Sequence, residues 1–173
     1  YFFSFFFFFL IILRPPRSSL DRSSAASDVY KRQDVTYVNG ISDGPFIFYH
    51  SNGKIRTTGK FKNDKFEGLI HEFNEDGKLT EEYYVNDGIW SGQSISYSYS
   101  DVGILFFKNQ GNYIDGKAEG RWEYFIYENN KPKLIGYKTF HMDVLNGPYY
   151  YFSGDSIIVT NYDNGKLNGN HLV

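Results

Sequence analysis

Tyr37-Val38-Asn39-Gly40-Ile41-Ser42-Asp43-Gly44-Pro45-Phe46-Ile47-Phe48-Tyr49 is the stretch whose reading sets the fold. An aromatic residue leads into Asn-Gly, a lone glycine follows four residues on, and a run of apolar and aromatic residues closes the segment. Asn-Gly accepts the positive φ that both central positions of a tight hairpin turn require. The flanking β-branched and aromatic residues have strand composition. The segment therefore predicts two antiparallel strands joined by a short reversal.

The same spacing recurs down the chain. Aligned on Gly44, Gly68, Gly92, Gly120, Gly147 and Gly169, six copies stand 24, 24, 28, 27 and 22 residues apart. Four residues before each reference glycine sits Gly40, Asp64, Gly88, Gly116, Asp143 or Gly165, preceded by Asn39, Asn63, Asp87, Asp115, Met142 or Asn164. Only Met142 departs from Asn/Asp. Seven before the glycine are Tyr37, Phe61, Val85, Tyr113, Phe140 and Tyr162; five after it are Tyr49, Phe73, Tyr97, Phe125 and Phe152. A second turn recurs nine residues after the reference glycine, at Asn52-Gly53 and Asp76-Gly77, and in later copies takes a looser form at Asp101-Val102-Gly103, Asn129-Asn130-Lys131-Pro132 and Gly154-Asp155. Gly103 reads as an incidental glycine of an irregular turn.

No window carries a 3.6-residue apolar period with caps, so little helix is expected after Asp34. The fold predicted for residues 34–173 is all-β: an elongated single-layer antiparallel sheet of tandem hairpins, its sixth copy incomplete. Such a sheet encloses no globular core, and aromatic ladders between successive copies are expected to hold it together.

Residues 1–33 are a different kind of sequence. Seven of the seventeen Phe fall within the first nine residues, whereas fourteen of the sixteen Tyr lie after Asp34. The apolar run Phe2 to Leu13 is shorter than the ~20 residues a membrane-spanning helix needs. It lacks a basic n-region and is followed by Arg14 to Arg17, a poor cleavage context. The run and its Arg/Ser-rich continuation resemble translated adapter read-through, so residues 1–33 are expected to be an assembly artefact or a leader outside the fold. A cytoplasmic location follows if they are an artefact, and an envelope or secreted one otherwise.

From Asp34 onward there are 18 acidic and 13 basic residues, a net charge of −5. Nucleic acids and anionic membrane surfaces gain affinity from Lys and Arg, so both are disfavoured as partners. The chain has no cysteine, which excludes disulfides and thiolate chemistry.

The [Asn/Asp]-Gly-x-x-x-Gly core, the aromatic strand after it and the Asn52-Gly53-Lys54 and Asp76-Gly77-Lys78 turns resemble MORN-type repeats, in particular the variant of bacterial YwqK-type antitoxin proteins. The resemblance covers about Tyr37 to Val173. It implies a single-layer antiparallel sheet used for protein association, for membrane-proximal scaffolding or, in the variant group, for toxin neutralisation.

Motifs for chemistry fail on their own terms. Gly111 to Ala118 has P-loop spacing but ends in Ala where Mg²⁺ needs Ser or Thr, and its Asp115-Gly116 is the repeat's own turn. His50, His71, His141 and His171 occupy different repeat positions, so stacking does not bring them to one metal. Glu81 and Glu82 point to opposite faces of a strand. No Gly-x-Ser-x-Gly elbow occurs. No catalytic residue, cofactor or metal is expected. The expected function is non-enzymatic protein binding, antitoxin-like or scaffolding, with a cell-envelope or membrane-associated structural role as the alternative. Trp90, Trp122, Tyr124, Tyr149 and Tyr151 are the candidate partner surface, because Tyr and Trp are enriched at interfaces. Self-association through the C-terminal strand edge is a further expectation.

Overall fold

Reversals at Asn-Gly-type pairs and Gly-containing loops cut the chain into thirteen strands, described in a computed structural model for residues 33–153 and 156–172. The reading of residues 1–32 as a non-native segment and the turn at Gly154-Asp155 lie outside the described residues. The strands are β1 (Gln33–Val38), β2 (Ile41–Tyr49), β3 (Ile55–Lys62), β4 (Lys65–Phe73), β5 (Leu79–Asn86), β6 (Ile89–Tyr99), β7 (Leu105–Ile114), β8 (Lys117–Glu128), β9 (Lys131–His141), β10 (Val144–Leu145), β11 (Gly147–Ser153), β12 (Ser156–Asp163) and β13 (Lys166–Leu172). All belong to one antiparallel sheet in sequence order from β1 to β9, then β11, β12 and β13, with the short β10 also on β9. No helix occurs among the described residues. The first strand opens at Gln33, one residue before the expected boundary.

The repeat turns are two-residue reversals with positive φ at both positions. Asn39/Gly40 (52° and 82°), Asp87/Gly88 (50° and 83°) and Asp115/Gly116 (49° and 76°) share that geometry with Met142/Asp143 (51° and 70°). Type I′ turns need it, because their twist matches that of the strands they join. Asn129/Asn130 (53° and 61°) is equally tight and closes on Glu128 and Lys131, which corrects the expected looser turn: Lys131 and Pro132 already belong to β9. The longer spacing of that copy comes instead from longer strands, twelve residues in β8 and eleven in β9.

The second turns are also more uniform than their sequences. In each of three loops one residue's carbonyl accepts from a glycine three residues on, and its N–H donates to the carbonyl four residues on: His50 with Gly53 and Lys54, Asn74 with Gly77 and Lys78, Ser100 with Gly103 and Ile104. Gly103, at φ 78°, fills the same left-handed slot as Gly53 at 83° and Gly77 at 84°. Asp101-Val102-Gly103 is therefore the repeat loop and not an irregular one.

Every reference glycine also has positive φ, between 71° at Gly120 and 128° at Gly44. Each in β2, β4, β6, β8 and β13 lies in or beside a bulge where three residues oppose one. Gly120, Arg121 and Trp122 face Gly111, for example, between the pairs Asn112–Glu119 and Gln110–Glu123. Bulges bend a strand and sharpen its twist, so one bend recurs per copy.

Cross-strand partners share a face. Tracing the pairs along the sheet puts Phe46, Thr57, Ile70, Tyr83, Val85, Ser94, Trp122, Gly136 and Thr160, all the buried residues described, on one face. We call it face A and its opposite face B. On face A, Phe46, Ile70, Tyr83 and Val85 form a cluster with Val35, Phe48, Phe61, Phe66 and Trp90 packed against it. The sheet thus has a one-sided core in its first half, in addition to the expected ladders.

Candidate functional site

Copies couple through their turns. The N–H of the second turn residue donates to a strand carbonyl of the preceding copy at Asp64→Ser42, Gly88→Phe66, Gly116→Trp90, Asp143→Ala118 and Gly165→Leu145, each 2.8–3.0 Å. Where that residue is Asp and not Gly, its carboxylate also accepts from the same strand residue: Ser42 N to Asp64 Oδ1 at 2.7 Å and Ala118 N to Asp143 Oδ1 at 2.6 Å. The Gly/Asp alternation in this slot has a physical basis, since Asp adds a bond between copies. Glu119 serves the Met142 turn as Glu67 serves that of Asp87, accepting from Met142 N at 3.0 Å and meeting His141 Nδ1 at 3.1 Å. Those two contacts, the backbone N–H foremost, hold the Glu119 carboxyl below its ordinary range.

The opposite rim is chained as well. His50 Nε2 meets the Phe73 carbonyl at 2.7 Å, Asn52 Nδ2 donates to the Glu75 carbonyl at 2.8 Å, and Lys78 Nζ reaches the Gly103 carbonyl. His50 is thus held by a neighbouring loop, while His71 stands 3.9 Å from Glu82 in mid-sheet. The histidine side chains described are not gathered in one place; the side chain of His171 lies outside those described. The P-loop-like segment runs from β7 through the Asp115/Gly116 turn into β8, without the helix a phosphate cradle requires.

The two aromatic sets of the sequence lie on opposite faces. Tyr49, Phe73, Tyr97, Phe125 and Phe152 belong to face B. There Tyr49 donates to Asp34 at 2.7 Å and Tyr97 to Glu82 at 2.8 Å, while Lys108 Nζ sits 5.0 Å from the Phe125 ring centre. Trp90, Trp122, Tyr124, Tyr149 and Tyr151 all belong to face A.

Among the five, Trp122 is buried, Tyr151 is exposed, and Trp90, Tyr124 and Tyr149 are half-buried. Trp122 is 9% exposed and wedged edge-on between Tyr113 and Phe140, with ring centres 5.1 and 6.4 Å away. Trp90 stacks on Tyr83 at 4.2 Å and meets Tyr113 edge-on at 4.9 Å. These two tryptophans are rungs of the ladder. Tyr124 and Tyr149 are half-buried with Lys138 Nζ between them, 5.3 and 5.8 Å from their ring centres, and Tyr151 is 37% exposed. Apart from the half-buried Trp90, the accessible part of the candidate surface is this Tyr124–Lys138–Tyr149–Tyr151 row.

Two features of the faces escaped the sequence reading. Gly59 and Gly111 lie on face A as floors beneath side chains: a Cβ on Gly59 would overlap Ile70 and come within 2.9 Å of the Phe46 ring, and one on Gly111 would overlap the Trp122 indole. On face B, Gln93, Gln110, Gly111, Asn112, Arg121 and Glu123 line a shallow groove of about 270 Å³. In it Glu123 accepts from Gln110 at 2.9 Å and pairs with Arg121 at 3.0 Å, and Arg121 stacks 3.9 Å from the Tyr137 ring centre.

The titration behaviour is that of structural hydrogen-bond donors. Burial, followed by the charge of Glu72, drives the Tyr83 phenol far above its ordinary value, and burial does the same to Tyr97 beside Glu82. Both stay protonated and donate. No protein-family profile matches the chain, and no curated protein matches it.

Proposed function

We propose that the array is a non-enzymatic protein-binding module of MORN type, antitoxin-like or scaffolding in role, which takes its partner on face A. The Tyr124–Lys138–Tyr149–Tyr151 row carries this reading. It offers amphipathic rings and a positioned cation on an open sheet face, beside tryptophans that hold the backbone beneath it. Rigid Tyr-rich surfaces are favoured at interfaces, because they contribute large contact area with little rotamer entropy to lose. The repeat spacing and the hairpin sheet support the MORN assignment, and the poorly enclosed groove on face B supports binding over catalysis.

The test is capture by the full chain, compared with Y124S/Y149S/Y151S on face A and with Y84S on face B, where Tyr84 is exposed. A partner held by the wild type and Y84S but lost by the triple variant, with melting within a few degrees of wild type, supports the proposal. A partner held equally by all three removes face A from it.

A further inference from the structure

A second feature of face A specifies the chemistry of what it holds. Glu72 on β4 and Glu81 on β5 are direct cross-strand partners, and both side chains are half-buried on the aromatic face. Like charges placed opposite one another in a sheet repel, and half-burial removes part of the water that would screen them. Glu72 accepts from the Tyr83 hydroxyl at 2.9 Å. Glu81 has no Lys or Arg within ion-pair distance among the described residues. Burial first, then the charge of Glu72, pushes its carboxyl up.

The pair sits in a stripe of polar side chains that follows the register across face A, from Thr57 to Glu72, Glu81, Ser96, Asn109 and Tyr124. Beside this stripe on the same face lie Ile70, Tyr83, Ser94, Gly111 and Trp122, and one row beyond them are Phe61 and Phe66, which stack, and Trp90, which stacks on Tyr83 and meets Tyr113 edge-on. Six strands at ~4.8 Å spacing make the stripe roughly 24 Å long, the length of an extended segment of about seven residues. A cation brought there meets two carboxylates at close range with the Tyr83 ring in the next row, an arrangement favourable to a guanidinium because it is planar, forked and weakly hydrated.

We propose that this stripe docks a basic segment of a partner protein, with an arginine set between Glu72 and Glu81 and aliphatic or aromatic neighbours lying on the ladder. The proposal rests on the protein-binding reading above and narrows it to one class of partner. Charge complementarity selects the occupant: face A presents an acid pair where a purely apolar partner would leave two carboxylates facing each other without a counter-ion.

The experiment measures fluorescence anisotropy of a labelled nine-residue peptide alternating Arg with Leu and Tyr, alongside the same peptide with citrulline, which keeps the shape and removes the charge. The full chain is compared with E72Q/E81Q on face A and E82Q/E123Q on face B, which change the net charge equally. The expected result is Arg-peptide binding that weakens at least tenfold with citrulline or with E72Q/E81Q and less than twofold with E82Q/E123Q. Equal loss from the two double variants means non-specific attraction and overturns the proposal, as does unchanged binding to E72Q/E81Q. A partner lost by the triple tyrosine variant but retained by E72Q/E81Q leaves the module reading standing and removes the arginine site alone.

Discussion

The Trp122 indole lies across Gly111 on the neighbouring strand, filling the space a β-carbon would occupy there. Ring and glycine form one packing unit. Gly111→Ala should therefore destabilise the sheet by about 1–3 kcal/mol, the usual range for overpacking. In a double-mutant cycle with Trp122→Leu the two losses should fall short of additive. Denaturant midpoints of the four proteins measure this, and full additivity would show that the ring and the glycine do not depend on each other.

Alanine should cost at least as much at Gly103 as at Gly68, because a Cβ at Gly103 must also displace the Lys78 ammonium that meets its carbonyl. Their φ angles are 79° and 78°, and an L side chain in that region costs about 1–2 kcal/mol whatever the surrounding space. A Cβ at Gly68 meets nothing within 4 Å, so Gly68→Asn should lose less than Gly68→Ala. Chemical denaturation of the three variants decides it. A much larger loss at Gly68 would restore the view that only the reference glycine is conformationally required.

Glu119 links stability to pH in one direction. Its carboxyl is held low by the Met142 N–H and then by His141, so it ionises more readily folded than unfolded. The stabilisation it provides is present above the ordinary carboxylate range and is lost as pH falls through its depressed folded value. Glu119→Gln should melt below wild type near neutral pH, and the gap should close in acid. Thermal melts from pH 7 down to pH 3 test this, and a gap constant across that range would contradict it.

Glu81 works in the opposite sense. Its folded carboxyl is raised by burial and by Glu72, so the neutral form is favoured by folding. Stability gained by protonation is complete below the ordinary carboxylate range and is lost as pH rises through the raised folded value. Glu81→Gln should then be more stable than wild type at pH 7, by a few tenths to about 1 kcal/mol, with the advantage shrinking toward pH 4. A variant less stable than wild type at neutral pH would mean that the carboxylate is satisfied in the fold.

The repeat was legible because its signals are local: Asn39-Gly40 and its counterparts fix a backbone conformation whatever surrounds them. Which face each aromatic occupies was harder to read. Each reference-glycine bulge inserts two residues, and face assignment depends on counting through them. Trp122 accordingly read as surface although it is buried, because the space it fills is made by Gly111 on another strand. The acid pair was equally hidden. Glu81 and Glu82 are adjacent in sequence and face opposite ways, while the meaningful neighbour, Glu72, lies nine residues back across a loop. Asn129-Asn130 misled for a simpler reason, since asparagine enters the left-handed region without glycine's help.

The chain of turn-to-strand hydrogen bonds from Asp64–Ser42 to Gly165–Leu145 bears on how the protein comes into being. Each strand pairs with its immediate predecessor in sequence or, across the short β10, with the next but one. No long loop has to close before a native contact can form, which favours rapid folding despite the all-β composition. During synthesis each emerging hairpin meets a finished edge that already displays the acceptor carbonyl it needs. Assembly can thus proceed as a moving front behind the ribosome, one docking event for every two strands translated.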